Sequence, residues 1–527
     1  MSYSDARWQK LIDKHGIFSG GYVDNVSQVD MWPQFSPYLR NARLDGQSII
    51  IRPWHDIYST LATWDYPRSI WAYLRSDPTN NRLIVRHNTT ATEKLVSIDS
   101  SGAVTPITTW VLVTSNNKTR FVNVANVLYC MNWVDYYGKL SGTTYSNPTT
   151  WVTNFAPSFG VVFNSSMWCA WWSTNSNKVY KSVADSYEDF AWAGSDTFTF
   201  QEQVTWLSAN SEALFYFTKN TISVTWFQDI TDTAGTLSYV TRPLTVKEWA
   251  ANHDCIIEVG TKVYYLSSSN TINMIARGAN INGFEVMELS DREYAGITKL
   301  MWSLAKDQTN AFAVYYPNEM LIKRHLYSQG STFADIVVVY DTIHDAFLID
   351  EQKYFTDWVF FDWFNYTTSA IENKVYKDEY GQVDDDQPIP FEYWTKEHYL
   401  WDATGKKTIR ESRSMVDINE LAWLEQTIWM DGAQTDEKTI DIDNIPLLTW
   451  GIGTYSVGTS EVGTEWWRET WDDMFEVPIL RTKWNLNKKC RKIQWRFANN
   501  TLAGKVRLKT IDVKVEMLPE LSTNLTK

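Results

Sequence analysis

What most constrains this chain is a rhythm. Short apolar or alternating segments, set in pairs around tight turns, return at nearly regular intervals through most of its length. Leu83–His87 can pair with Leu95–Asp99, and Phe121–Cys130 and Val161–Trp172 continue the series. Glu212–Phe217 and Thr221–Phe227 flank Lys219-Asn220; Cys255–Val259 and Lys262–Leu266 flank Gly260-Thr261. Ala311–Tyr316 and Met320–His325 flank Pro317-Asn318, Asp335–Tyr340 and Ala346–Asp350 flank Thr342–Asp345, and Ala370–Tyr376 closes the run. Alternation bounded by Asn, Asp, Gly or Pro is the signature of strands joined by turns. The units centre near residues 84, 128, 167, 216, 263, 315 and 371, at intervals of 39 to 56 residues. That is the span of one four-stranded propeller blade. A single blade cannot bury both faces, so blades stack around an axis and protect their short edges. The expected fold is all-β: a β-propeller of about six or seven blades over residues 51–385.

The flanks read differently. Residues 1–50 form an N-terminal arm, with a short helix predicted where Ser4 caps and Trp8, Leu11 and Ile12 share a face before Gly16. Asp384–Asp386, followed by Pro388 and Pro390, marks either the propeller exit or a hairpin tip. Residues 386–527 predict an antiparallel β-sandwich, because Lys492–Phe497 and Lys505–Lys509 alternate strictly. The apolar phase flips between Thr510 and Ile511, which demands a bulge or a strand boundary. Within this domain, residues 449–471 carry Gly451, Gly453, Tyr455, Gly458, Gly463, Trp466, Trp467 and Trp471. This stretch is a candidate channel-gate or interface loop; a Trp-buttressed hairpin is the plainer alternative.

Composition narrows the function. The 28 Trp, 28 Tyr and 23 Phe suit pleated surfaces and broad contacts. A net charge of −14 argues against gripping phosphate backbones. Cys130, Cys169, Cys255 and Cys490 lack CxxC spacing and are expected to be buried free thiols. The opening residues show no apolar signal core, and no run of 18 apolar residues occurs, so assembly in a cytosol without membrane insertion is expected. His15, His55, His87, His253, His325, His344 and His398 show no metal-ligand spacing. No Walker loop, G-x-S-x-G or strand-linked G-x-G-x-x-G appears. The reading is therefore no enzyme, no cofactor and no metal. Two carboxylates would suffice for glycoside hydrolysis, and Ser97–Gly102 approaches the Asp-box of sialidase propellers, with its glycine one place late. A carbohydrate-binding or -hydrolysing propeller in receptor recognition is thus the alternative, and a cellular protein-binding scaffold a third. Lys488, Lys489, Arg491 and Lys492, near Lys483 and Arg496, form a candidate basic contact patch or a solvated strand face.

A resemblance gives these expectations a setting. Gly20-Gly21-Tyr22, then Leu39–Ser48 and Arg52-Pro53, resemble the opening of the tail hub and nozzle proteins of short-tailed bacteriophages, the DNA-stabilisation and tail tubular protein B-like family. Ser158–Phe163, Met167-Trp168, Val179–Ser182 and Asp189-Phe190 look like one of the family's blades; Glu212–Phe217 with Lys219–Ser223 looks like the next. Asn373–Tyr376 through Asp384–Ile389 resembles the propeller exit, and Lys406–Arg413, Lys488–Phe497 and Ile511–Met517 resemble the C-terminal sandwich. The matches run in order over most of the chain. Trp54 departs from the glycine that often follows the Arg-Pro step. The resemblance implies a homo-oligomeric ring, commonly a hexamer, in the virion tail below portal and adaptor proteins. Such a ring continues the DNA channel, retains the genome until ejection, and anchors tail fibres or spikes. An acidic lumen would let double-stranded DNA pass without sequence-specific binding.

Overall fold

The structure, a computed structural model, describes residues 10–516, apart from 89–94, 108–117, 379–388, 399–406, 442–478, 500–505 and shorter breaks of one to five residues. The chain forms two compact units. One comprises residues 55–342 and 350–380; the other comprises residues 1–54, 343–349 and 381–527.

The first unit forms a seven-bladed β-propeller, whose sixth sheet takes most of its fourth strand, Ala346–Glu351, from residues 343–349. Its four-stranded sheets begin with Tyr66–Tyr73, Arg120–Val124, Phe159–Phe163, Val204–Ala209, Ile257–Val259, Phe312–Tyr316 and Phe355–Phe361, here blades one to seven. Each first strand touches that of the next blade, the turn His253–Cys255 serving for blade five against blade four. Blade seven returns to blade one, so the ring is closed. Tight turns make the blades: Ala125-Asn126, Asn164-Ser165 and Asp362-Trp363 are pairs of left-handed residues, the geometry that matches strand twist in two-residue hairpins. They divide Phe121–Cys130 into Arg120–Val124 and Val127–Met131, and the next segment into Phe159–Phe163 and Ser166–Ala170.

Closure uses a strand from far away in sequence. Asp56–Thr60 pairs antiparallel with Lys374–Asp378 and supplies the fourth strand of blade seven. It also grips blade one. The Tyr58 hydroxyl donates to the Asp99 carbonyl (2.6 Å) and the Ser59 hydroxyl to the Gly102 carbonyl (2.9 Å). Between blades seven and one lies an apolar seam of Ile70, Leu83, Val85, Val359, Phe361 and Val375. Burying each such side chain contributes about 1.5–3 kcal/mol.

The second unit is a β-sandwich built from both ends of the chain. One sheet runs Ile479–Cys490, Lys407–Ile418, Val506–Glu516, Ser48–Ile51 and Ala42–Asp45. The other runs Tyr38–Arg40, Phe391–Trp394, Ile493–Asn499, Trp423–Met430 and Ala433–Asp441. Their inner faces meet through polar contacts: Trp495 Nε1 donates to Ser412 Oγ (3.0 Å) and Gln426 Nε2 to Ser414 Oγ (2.9 Å). The expected phase flip is present. Pairing skips a residue between Leu508 and Thr510, which turns Val506 and Leu508 inward on one side of the bulge and Ile511 inward on the other. The double glycine is sterically required. A Cβ on Gly20 would lie 2.3 Å from the Phe35 ring, and one on Gly21 would lie 2.4 Å from the Phe347 carbonyl.

The predicted N-terminal helix is corrected. Lys10–His15 is a strand paired with Ile511–Glu516, while residues 1–9 and 16–19 lie outside the description. An isolated helix of three turns is marginal in water, whereas a long edge strand satisfies every second backbone group of its partner.

Candidate functional site: a charge hub on the propeller axis

Charged residues rarely open inner strands, because those strands face the ring's crowded centre. Here charged groups from three blades meet. Lys118 and Arg120 lead into blade two, Asp254 lies in the turn before blade five, and Asp357 lies beside a bulge in the first strand of blade seven. Asn252 positions Asp254: its side-chain oxygen accepts from the Cys255 amide (3.0 Å), and its Nδ2 donates to the Gln308 and Ala311 carbonyls.

The four charges interlock. Arg120 grips Asp254 with two bonds, Nε–Oδ1 at 3.0 Å and Nη2–Oδ2 at 3.1 Å. Lys118 Nζ sits 3.5 Å from Asp254 and 3.0 Å from Asp357. Asp357 also accepts from the Ile70 amide of blade one (3.0 Å). Arg120 reaches the Ser158 carbonyl leading into blade three (3.4 Å) and lies over Trp206 of blade four at 5.7 Å. Lys118 lies over Phe312 of blade six at 5.2 Å. The cluster therefore touches all seven blades. Blades two and five are not neighbours in the ring, so the Arg120–Asp254 bridge crosses the axis.

Electrostatics sorts the two carboxylates. Burial would raise Asp254, but Arg120 and Lys118 outweigh it and hold the group well below the usual carboxylate range. For Asp357 burial wins over the attraction of Lys118, and its pKa is raised. Burial would lower Lys118, yet Asp254 and Asp357 together keep it above its ordinary value. His253, in a three-ring cluster with Phe159 and Trp206, is pushed down to about 3 by burial and by Arg120.

A second constellation ties down the closing strand. Asp378 accepts from His55 Nδ1 (2.8 Å), Lys323 Nζ (3.1 Å) and the Tyr316 hydroxyl. Lys323 also lies 4.1 Å from the Tyr316 ring. The side chains of His55, Lys323 and Asp378 are 2–4% exposed, so this carboxylate, amine and imidazole form a buried clasp. Burial would raise Asp378, but Lys323 and His55 hold it well below its ordinary range.

The residues singled out from sequence fall elsewhere. Gly451, Gly453, Tyr455, Gly458, Gly463, Trp466, Trp467 and Trp471 lie outside the described residues. In the basic patch, Lys488, Lys489 and Arg491 are exposed around a turn, and the Arg491 and Lys492 amides donate to Asp431. Lys492 is neutralised by Glu397 at 2.6 Å. Arg496 is spent differently. Its guanidinium lies 3.6 Å from the ring centres of both Trp394 and Trp429, and Trp394 stacks on Tyr38 at 4.7 Å. Trp394 is thus engaged by both Arg496 and Tyr38. The Ser97–Gly102 stretch is a turn. Asp99 Oδ1 accepts from the Ser101 and Ala103 amides, and the turn's carbonyls receive the closing strand. All four cysteines are buried free thiols.

Sequence reasoning missed the hub. Its only trace is charge at the head of three inner strands, which is visible once the blades are phased.

No family model and no curated protein matches this chain. Solved structures similar to it include BamB from Moraxella catarrhalis (9% identity, 64% of this chain and 92% of that one, TM-score 0.36). Another is YCF48 bound to D1 peptide (11% identity, 64% and 96%, TM-score 0.35). A third is the computationally designed Ika8 protein (9% identity, 61% and 98%, TM-score 0.34). At such scores these likenesses add nothing to a fold already defined by its own strand order: a β-propeller accompanied by a β-sandwich.

Proposed function

We propose that this chain is a structural subunit of a larger assembly, the ring that forms the tail hub or nozzle of a short-tailed bacteriophage. The observation that carries the structural part is the axial hub. A charge cluster whose ion pairs join blades two, five and seven and whose other contacts touch the remaining four favours one rigid ring, and the Asp378 clasp locks its closing strand. The charges of the hub and of the clasp join one blade to another. Large apolar side chains remain outside: Trp302 and Trp363 are each 74% exposed, and exposed aromatics of this kind suit contacts with neighbouring subunits. The phage setting rests on the ordered sequence resemblance.

Salt bridges across the axis also bear on the route of DNA. A duplex cannot run through a single propeller crossed at its centre, so the passage lies between copies, walled by chains of net charge −14. Imaging of the assembled particle by electron cryomicroscopy tests this. The expected result is a ring of copies, about six, with the duplex on the ring's axis and outside every propeller. A particle lacking the chain, or a purified monomer that turns over a glycan, overturns the proposal.

A further inference from the structure

Six cations are buried among the described residues: Arg43, Arg52, Arg86, Lys181, Lys323 and Arg324. Five have a partner. Arg43, Arg86 and Lys181 donate to the carbonyls of Ala42, His87 and Ser182; Arg52 donates to Asn41 and Pro53; Lys323 meets Asp378. Arg324 does not. It is 0% exposed, and its Nε, Nη1 and Nη2 are all buried without a hydrogen-bond partner. It stands on Leu321–Leu326, the second strand of blade six, aligned with Ala313 and Val338.

Its surroundings are neutral. The groups nearest in charge are the Cys255 thiol, the Tyr264 phenol of blade five and the Tyr340 phenol of its own blade. Burial pushes the Cys255 thiol up to about 12, so it is no counter-ion at neutral pH. Arg86 makes the contrast: it is 1% exposed, yet it has the Asp135 carboxylate nearby. A guanidinium carries five donors in a fixed fork, and leaving all of them dry beside a bare charge is a penalty large against net stability. The large majority of buried polar groups in native interiors have a hydrogen-bond partner, and each exception calls for an explanation such as a bound ion or water.

We propose that a small monovalent inorganic anion of the halide class is held against Arg324 between blades five and six. One fully buried guanidinium is balanced by one negative charge, and the partly exposed Arg292 reaches only the far side of the site through the Tyr340 hydroxyl (3.4 Å). Full enclosure admits a small ion, and the lining phenols can donate to it. In blade one Asp135 supplies the negative charge from the chain itself; in blade six it comes from solution and is trapped when the ring closes.

Two measurements test this. Crystals grown in bromide should show an anomalous peak against the Arg324 nitrogens. Thermal unfolding at fixed ionic strength should show Tm rising by about 2 °C for each tenfold exchange of gluconate for chloride above the dissociation constant. Arg324→Met should abolish that rise. Ordered water at Arg324 in crystals whose bromide occupies other sites overturns the proposal, as does an equal halide response in the variant. If the variant fails to fold, the bromide map of the unsubstituted protein decides.

Discussion

Two strands of the propeller share nearly the same sequence and use it in opposite ways. Blade one carries Leu83-Ile84-Val85-Arg86-His87 and blade six carries Leu321-Ile322-Lys323-Arg324-His325, each on the second strand of its sheet. In blade one, Leu83 and Val85 belong to the apolar seam with blade seven, and Arg86 turns to Cys130 and Asp135 of blade two. In blade six, Lys323 and His325 face Asp378 and Phe355 of blade seven, and Arg324 turns to Cys255 and Tyr264 of blade five. The two pentads thus meet blade seven from its two sides with the same positions. A strand has period two, so everything on alternate residues follows whichever face the first one takes. What differs is the neighbour. Val85 meets hydrocarbon, while Lys323 meets a carboxylate.

Making blade one copy blade six breaks this division most severely. Val85→Lys places an ammonium among Ile70, Val359 and Val375, where the one carboxylate named at the seam, Asp357 on the Ile70 amide, is already paired with Lys118. A loss above about 5 kcal/mol, seen as absence of soluble folded protein, is expected; a stable variant would show that the seam can admit water. Removing the answer in blade six comes next. Asp378→Ala leaves Lys323 buried without its carboxylate and frees His55, and urea unfolding should show a loss of about 3–5 kcal/mol.

The smallest effect sharpens the role of the paired histidine. Burial, aided by Lys323, pushes His325 down to about 3, whereas an unfolded histidine titrates near 6.5. Between these values the unfolded chain binds the extra proton. Stability is therefore intact above about pH 6.5 and falls by about 1.4 kcal/mol per pH unit as pH drops toward 3. His253 adds a limb of the same sign. Phe suits the site of His325, which stacks on Phe312 at 4.3 Å. His325→Phe should keep stability near pH 7 and flatten the acid limb by that one group's slope. An unchanged slope would mean that His325 is not buried neutral.

The same pair of strands shows what could be read from the chain alone. Blade spacing was legible because turn residues such as Lys219-Asn220 and Gly260-Thr261 punctuate it locally. The bulge beside Thr510 was legible because a phase flip has one geometric remedy. Facing was not, since pentads that differ only at Val85 and Lys323 point opposite ways round the ring. Nor was the hub, whose members Lys118, Asp254 and Asp357 are brought together only by the closed ring. The helix expected near Ser4 failed because the strand Lys10–His15 has a partner some five hundred positions away. The loop of residues 449–471, with Trp466 and Trp467, lies outside the described residues.

The closing strand has a consequence for how the protein is made. Asp56–Thr60 leaves the ribosome long before Lys374–Asp378, the segment it must zip onto. At typical synthesis rates of about 5–20 residues per second, the wait is about 15–60 s. For that time a bare β-edge is adrift on a nascent polypeptide, inviting chaperones or mispairing. Chains broken off before residue 374 leave blade seven without its third strand, so premature termination would yield an open fan of sheets and not a smaller propeller.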